Sequence, residues 1–205
     1  MVDSMSSRRQ RTRSNILDSA LRLLVERGYH GVGMEEVARD AGVSRQALYL
    51  HFKSKSELLV ALARYNDEMI RVPEFVRRSD EATTALEALD AGVRAYGLIE
   101  PQIYEVASVV YAARRTDEAA EAAWQDRLAF RRENVGRGME RLQNEGLLAK
   151  GWTVDEATDF AWALLSMHTY EHLVVERGWS IEQLVDRLTE MLIKVLVAQP
   201  EAGNR

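Results

Sequence analysis

The chain has 205 residues, is 46% hydrophobic and 29% charged, and carries a formal net charge of −5. These values suit a soluble protein made of one large domain, or of a small module joined to a larger one. The absence of cysteine excludes disulfides, thiolate catalysis and cysteine-ligated metals. No uncharged apolar run approaches the roughly 20 residues that span a bilayer, and no apolar stretch follows the basic N-terminus. We therefore expect a cytoplasmic protein with no membrane partner.

The charge is unevenly distributed along the chain. Residues 1–56 hold ten Lys and Arg against six Asp and Glu, a net charge of +4, whereas residues 57–205 hold 17 against 26, a net charge of −9. A basic head on an acidic body indicates that the head meets a polyanion.

Apolar residues recur at helical spacing along nearly the whole chain, which predicts an all-α fold of about nine helices. Residues 1–14, rich in Ser and Arg, are expected to form a flexible basic arm. The first helix should run from about Thr12 to Arg27 and end at Gly28, because glycine adopts the left-handed C-cap conformation at little cost. A second helix should start near Met34 and stop before Gly42.

A third helix is predicted to begin at Ser44, a good N-cap, and to reach about Phe52. A fourth should open at the capping box S-K-S-E, residues 54–57, and continue to about Arg71. The segment M-E-E-V-A-R-D-A-G-V-S-R-Q-A-L-Y-L-H-F, residues 34–52, therefore reads as a helix-turn-helix, in which Ala38 allows close helix contact and Gly42 supplies positive φ in the turn.

Projection of the third helix at about 100° per residue separates two faces. Leu48 and Phe52 fall on one stripe, which should face the first helix, while Gln46, Ala47 and Leu50 fall on the opposite side. A helix laid in the major groove needs this arrangement. The alternative is a plain three-helix bundle, which has no need for an outward Gln and Leu ringed by Tyr, His and Lys.

The run G-Y-H-G-V-G-M-E-E-V-A-R-D-A-G-V-S-R-Q-A-L-Y-L-H-F-K-S-K-S-E-L-L, residues 28–59, resembles the DNA-binding signature of the tetracycline-repressor (TetR) family of regulators. The likeness covers roughly residues 12–62, and beyond it the chain resembles the family only in length and helical layout. It implies that Tyr49, His51 and Lys55 contact phosphates, and that Arg45, Gln46, Ala47 and Leu50 lie nearest the bases.

The chain departs from the family pattern at four positions in this run. Val32 and Gly33 stand where members often have Thr or Ser, so a hydroxyl contact to phosphate is lost. Gln46 replaces a frequent Gly or Pro, and Ala47 a frequent Thr or Ser. Base preference therefore does not carry over from relatives, and Gln46 is a candidate reader specific to this chain.

Five further helices are predicted near 80–99, 102–115, 117–146, 154–177 and 181–198, with Pro101 between the first two. The resemblance implies that this larger region, together with the end of the fourth helix, forms an effector-binding and dimerisation domain. The expected division is thus an arm at 1–14, a DNA-binding domain at 12–56 and the larger domain at 57–205.

Apolar stripes on the last two helices predict pairing into a four-helix bundle across a two-fold axis. The alternative is that both stripes serve only the monomer core. The predicted dimer interface comprises Ala161, Leu164, Leu165, His168, His172, Leu184, Leu188, Leu192 and Val195.

Large side chains on the middle helices are candidates for a pocket that binds a small, mostly apolar effector. Aromatic rings with one polar tip suit such a cavity, although each is also an ordinary core residue. The candidates are Tyr65, Met69, Tyr96, Tyr104, Tyr111, Trp124, Phe130 and Trp162.

Residues 168–172 spell H-x-x-E-H, the inverted string of a zinc-peptidase family. His168 and His172 would share a helix face and can bind zinc with Glu171, but both lie on the apolar stripe, so histidines buried or hydrogen-bonded at the dimer seam are favoured. We expect no enzyme, no catalytic residue, no cofactor and no metal. The leading hypothesis is a homodimeric regulator, a repressor by family habit, that an effector releases from a palindromic operator in double-stranded DNA. The alternatives are a metal-binding protein or hydrolase, and a helical ligand-binding protein without DNA affinity.

Overall fold

The computed structural model describes the backbone of residues 2–198 and the side chains of residues 8–198. In this part of the chain, helices are joined by short turns and loops, and the only strand-like feature is an isolated antiparallel bridge between Leu148 and Val197. The α-helices are α1 Val2–Arg27, α2 Met34–Asp40, α3 Arg45–His51, α4 Lys55–Ile70, α5 Val72–Asp80, α6 Ala85–Ala113, α7 Glu118–Asn144, α8 Val154–Leu164, α9 Met167–Tyr170 and α10 Ile181–Leu196. The predicted all-α fold is confirmed.

The chain forms two compact units: Met1–Ile70 with Ile103–Asp126, and Arg71–Gln102 with Arg127–Arg205. Helices α6 and α7 each contribute residues to both. No helix in the described range is long and apolar enough to cross a membrane. The predicted functional division at residues 56 and 57 stays a prediction.

The first unit is built on the predicted helix-turn-helix. Its core is apolar side chains at helical spacing on α1 to α4, which pack together away from water. The fully buried large members are Ile16, Leu17, Leu24, Leu48, Phe52, Leu58, Leu59 and Leu62. Gly42 has a φ of +67° between α2 and α3, as the turn requires.

Helix α1 begins ten residues earlier than expected. We predicted a flexible arm before Thr12, but the backbone from Val2 onward is helical, and Met1 lies outside the described residues. The Thr12 hydroxyl donates to the Arg8 carbonyl, 3.0 Å away, as side chains do within a helix. The segment contains neither Gly nor Pro, and its Arg and Gln residues propagate a helix well.

The boundary predicted at Pro101 is wrong, and one helix was missed. Pro101 lies inside α6 rather than ending it. Proline removes one backbone hydrogen bond, but the side-chain Nε2 of Gln102 donates to the neighbouring Leu98 carbonyl, 2.6 Å away. The prediction also missed α5, whose second residue is Pro73.

The predicted helix 154–177 is interrupted. Helix α8 ends at Leu164, and Ser166 caps α9 by accepting from the Thr169 amide at 3.3 Å. The chain then continues as a π-helical turn, Glu171–Glu176. Serine favours an N-cap over a helix interior because its side chain competes for backbone donors.

Candidate nucleic-acid interface

Helix α3 presents the outward face that the periodicity predicts. Leu48 and Phe52 are 0% and 1% exposed, whereas Leu50 is 76% exposed. Gln46 and Tyr49 are exposed as well. A single exposed leucine is common on protein surfaces, but Leu50 lies on the same face as Gln46 and is available for contact with another molecule.

The helix is held by caps at both ends. Ser44 accepts from the Ala47 amide at 3.1 Å and so satisfies a free donor of the first turn. The Phe52 amide donates to the Leu48 carbonyl at the other end. With its inner face packed and its ends satisfied, α3 is a rigid platform for its outward side chains.

The Arg45 guanidinium pairs with the Glu35 carboxylate and stacks over the Tyr49 ring, 5.7 Å from its centroid. Both charged side chains of the pair are about two thirds exposed, at 64% and 68%. An exposed ion pair of this kind contributes little to stability. Arg45 can therefore exchange Glu35 for a phosphate or a guanine at low cost.

Burial lowers the pKa of His51, and the positive charges of Arg9 and Arg13 lower it further. These two arginines thus bring positive charge from the helical N-terminal segment to the end of α3. Arg13 also stacks over the Phe52 ring at 5.4 Å. The predicted basic arm is therefore part of the same surface, carried on α1.

Lys55 is half-buried, and its ammonium donates to the Tyr29 carbonyl and lies 4.2 Å from the centre of the Tyr29 ring. Burial lowers the pKa of Lys55, although the charges of Asp117 and Glu36 act in the opposite direction. Tyr29 thus orients Lys55, the residue that we predicted to contact a phosphate.

Sequence reasoning missed Asp117, which organises this region from far along the chain. Both Tyr29 Oη and Ser56 Oγ donate to Asp117 Oδ2, the latter at 2.5 Å. Asp117 Oδ1 accepts from the amides of Ala119 and Ala120 at the start of α7. Burial acts to raise the pKa of Asp117, but these four hydrogen bonds together hold it below its usual value. Burial and Asp117 in turn raise the pKa of Tyr29 to about 12.

The candidate effector residues are divided between the two units. Tyr65, Met69, Tyr104, Tyr111 and Trp124 belong to the first unit, and Tyr96, Phe130 and Trp162 to the second. Met69 is 66% exposed and Phe130 48% exposed, while Tyr111 and Trp124 pack edge to face at 5.1 Å. A groove of about 460 Å³ in the second unit is lined by none of these eight, but mainly by charged side chains such as Arg132 and Asp155. The pocket assignment stays a prediction.

The predicted interface residues fall into two groups. Five are buried inside the single chain, as the alternative of a monomer core requires, and so have little surface to offer a partner: Ala161, Leu165, Leu184, Leu188 and Leu192. Four keep accessible surface: Leu164, His168, His172 and Val195. The dimer interface stays a prediction, and only this second group has accessible surface with which to form it.

The H-x-x-E-H histidines lie in the irregular region of α9. His172 Nδ1 is 3.2 Å from Glu176, and His168 Nδ1 is 3.7 Å from Glu171. Neither histidine is buried within the single chain, and their predicted place at the dimer seam stays a prediction. His172 has a local carboxylate partner in Glu176. Among residues 8–198, no three His, Asp or Glu side chains come together as a metal site.

Comparison with known proteins identifies the first unit. The family model described as "Bacterial regulatory proteins, tetR family" matches residues 16–62. The transcriptional activator FasR of Mycolicibacterium smegmatis is 41% identical over 90 residues, which are 43% of this chain and 40% of FasR. The chain thus matches about two fifths of that relative's length.

Solved structures extend the likeness in fold to nearly the whole chain. A protein from Saccharomonospora viridis in complex with choline superposes with a TM-score of 0.76 at 22% identity, over 93% of this chain and 100% of that one. FadR from Bacillus subtilis in complex with stearoyl-CoA gives a TM-score of 0.71 at 21% identity, over 88% and 97%. The two comparisons agree: residues 16–62 match the tetR family of bacterial regulatory proteins, and the chain shares its fold with these two solved structures.

Proposed function

We propose that the chain is a sequence-specific DNA-binding transcriptional regulator, a homodimer that leaves a palindromic operator when a small effector binds. One observation carries this proposal: α3 turns Gln46, Tyr49 and Leu50 to solvent while Leu48 and Phe52 anchor it from behind. The surface is rigid, cationic and partly apolar, as a major-groove reader must be.

The residue roles follow from chemistry and position. Gln46 can bond bidentately to adenine, Leu50 and Ala47 can contact a thymine methyl group, and Arg45 can reach guanine or a phosphate. Tyr49, His51 and Lys55 flank this face and suit phosphate contacts that fix the register without reading sequence.

Dimerisation is proposed because α3 is short. Seven residues span only about 10 Å and reach few bases. Two such helices held about 34 Å apart read two half-sites of a palindrome. An effector that changes this spacing misaligns the two helices and releases the DNA.

Ligand control is supported by the choline and stearoyl-CoA complexes of the two structural neighbours. We propose repression as the direction of control, although FasR is named an activator; a reporter gene behind the operator decides between the two. Because its partner would be the bacterial chromosome, we propose the cytoplasm as its location.

The test is selection of bound duplexes from a random pool with wild type and two α3 variants. Gln46→Ala should change the selected sequence, whereas Tyr49→Phe should weaken binding to all duplexes without changing preference. Gln143→Ala, at an exposed glutamine on α7, is the matched control and should behave as wild type. A selected motif that is identical for wild type and Gln46→Ala removes the reader assignment, and no selected motif at all removes the function.

A further inference from the structure

Glu100 is an unusual acidic residue in the second unit. It lies on α6, and its residue surface is only 1% exposed although its side chain is a carboxyl group. Arg131 Nη2 approaches Oε2 at 3.2 Å, and Oε1 has no hydrogen-bond partner among the described residues. A buried carboxylate oxygen without a donor is strongly unfavourable, so it requires an explanation beyond packing.

Two tyrosines lie beside this carboxylate. Tyr96, one turn earlier on α6, is 7% exposed, and its hydroxyl donates to the Ser166 carbonyl at 3.0 Å. Tyr170, at the end of α9, is 8% exposed. Burial raises the pKa of Glu100, although the charge of Arg131 acts in the opposite direction. Burial and the charge of Glu100 likewise raise the pKa of both phenols.

The backbone around this cluster of Glu100, Tyr96 and Tyr170 departs from regular α-helix. Ser166, the acceptor for Tyr96, lies at the break between α8 and α9, and the π-helical turn Glu171–Glu176 follows Tyr170 directly. Pro101 interrupts the hydrogen bonding of α6 next to Glu100. Such interruptions concentrate at ligand sites because they leave a helix two ways to arrange itself.

The chemistry of the cluster selects the ligand. Carboxylate oxygens accept hydrogen bonds only, so the ligand must donate. Arg131 contacts one oxygen and remains 24% exposed, so water shares its charge and Glu100 stays incompletely neutralised. Tyrosine ring faces also attract cations. An anionic ligand would be repelled by the same carboxylate.

From this geometry we infer that Glu100 anchors the polar end of a small organic amine, whose ammonium group donates to Oε1 between Tyr96 and Tyr170. The inference rests on the proposed function, because it assigns the chemical class of the effector. In the described state the anchor is covered, so binding requires the α8–α9 joint at Leu165 and Ser166 to open. The ammonium group then supplies the hydrogen-bond donor that Glu100 Oε1 lacks, and the bound amine keeps the joint open.

The experiment measures binding of the full chain to butylamine, cyclohexylamine and benzylamine by calorimetry, beside the alcohol and the carboxylate of matching shape. At least one amine should bind at least about tenfold more tightly than its alcohol, the margin of a charged over a neutral hydrogen bond. The matching carboxylate should bind least. If no amine exceeds its alcohol, the inference is overturned.

Variants assign the preference to the residue. Glu100→Gln should remove the preference for the amine, while Glu105→Gln, at an exposed position on the same helix, should keep it. If Glu100→Gln does not fold, Glu100→Asp serves instead: it keeps the carboxylate but withdraws it by one methylene, and it should reduce the preference for the amine. An amine preference that persists in Glu100→Gln, or that Glu100→Asp leaves unchanged, contradicts the anchor.

Duplex selection in the absence of amine separates this inference from the proposed function. Amine binding that depends on Glu100 in a protein that selects no DNA would overturn the function and keep the site. DNA selection with no amine preference would overturn the site and keep the function.

Discussion

Two charged side chains around α3 make contacts that are weak enough to be exchanged for contacts with DNA. The Arg45–Glu35 pair is exposed and weak, and the pKa of His51 is lowered by burial and by Arg9 and Arg13. Both groups are therefore better satisfied by a phosphate than by their present surroundings. The free protein keeps these contacts loose where DNA is expected to replace them.

His51 makes operator affinity depend on pH. Its pKa lies below the ordinary value in the free protein, and adjacent phosphates should raise it in the complex, so binding takes up a proton. Affinity should rise as the pH falls from about 7.5 to about 6, because the complex gains protonated His51 before the free protein does. Fluorescence anisotropy across this range tests it: His51→Gln should flatten the dependence, and His30→Gln should not. An equal pH dependence in wild type and His51→Gln contradicts the prediction.

The outward face of α3 could be predicted from the sequence because it depends on local periodicity alone. Leu48 and Phe52 are four residues apart, so any helix over this segment places them on one side. The same reasoning failed where contacts between residues far apart in the sequence determine the structure. No residue near Asp117 in the sequence indicates its hydrogen bonds with Tyr29 and Ser56, which are 88 and 61 residues away. Nothing local indicated that α6 would continue through Pro101, or that Ser166 would begin a new helix inside an apolar run.

The loop residue Asp117 couples the start of α7 to the segment that carries Lys55. Asp117→Asn keeps the shape but removes the charge that two hydroxyls and two amides stabilise, so we expect a loss of about 1–3 kcal/mol in unfolding free energy. Operator binding should weaken as well, because Tyr29 holds the Lys55 ammonium.

The pH dependence of unfolding gives a second measurement on Asp117. Since the folded-state pKa is lowered, the stabilisation is present above the unfolded-state pKa, near 4, and is lost as the pH falls through the folded-state value. Urea unfolding should therefore show a shallower acid loss in Asp117→Asn than in wild type. Asp126→Asn, at an exposed position on α7, should match wild type in stability and acid slope. Equal slopes in all three proteins would mean that the network contributes nothing.

Substitution of two helical glycines tests whether α6 and α10 pack closely. A Cβ on Gly97 of α6 would lie 2.3 Å from Val185 Cγ2 of α10, whereas a Cβ on Gly138 of α7 meets nothing within 4 Å. Val185 is β-branched and moves little. Gly97→Ala should thus destabilise by about 1–2 kcal/mol after its gain in helix propensity, and Gly138→Ala should stabilise by about 0.5–1 kcal/mol. Urea unfolding that moves both variants in the same direction contradicts the close approach of α6 and α10.

At the scale of the whole molecule, the proposed function requires two copies of the chain. One α3 presents seven residues, too few for a specific complex alone, and the net charge is positive over residues 1–56 but negative over residues 57–205. The acidic remainder disfavours close contact with DNA away from the α3 surface. In the proposed homodimer, specificity therefore comes from the fixed distance between two small cationic surfaces rather than from one larger surface.

The spacing of half-sites tests this design directly. Inserting about five base pairs between the half-sites of the selected palindrome turns them to opposite faces of the duplex, so one dimer cannot contact both. Affinity should fall to that of a single half-site, and an insertion of about ten base pairs should not restore it, because the dimer holds its helices one turn apart. The affinity of the wild-type palindrome should also fall more steeply with salt than that of the half-site, since each additional phosphate contact releases counterions. Equal salt slopes for palindrome and half-site, with no effect of the five-base-pair insertion, would show that each chain binds DNA independently.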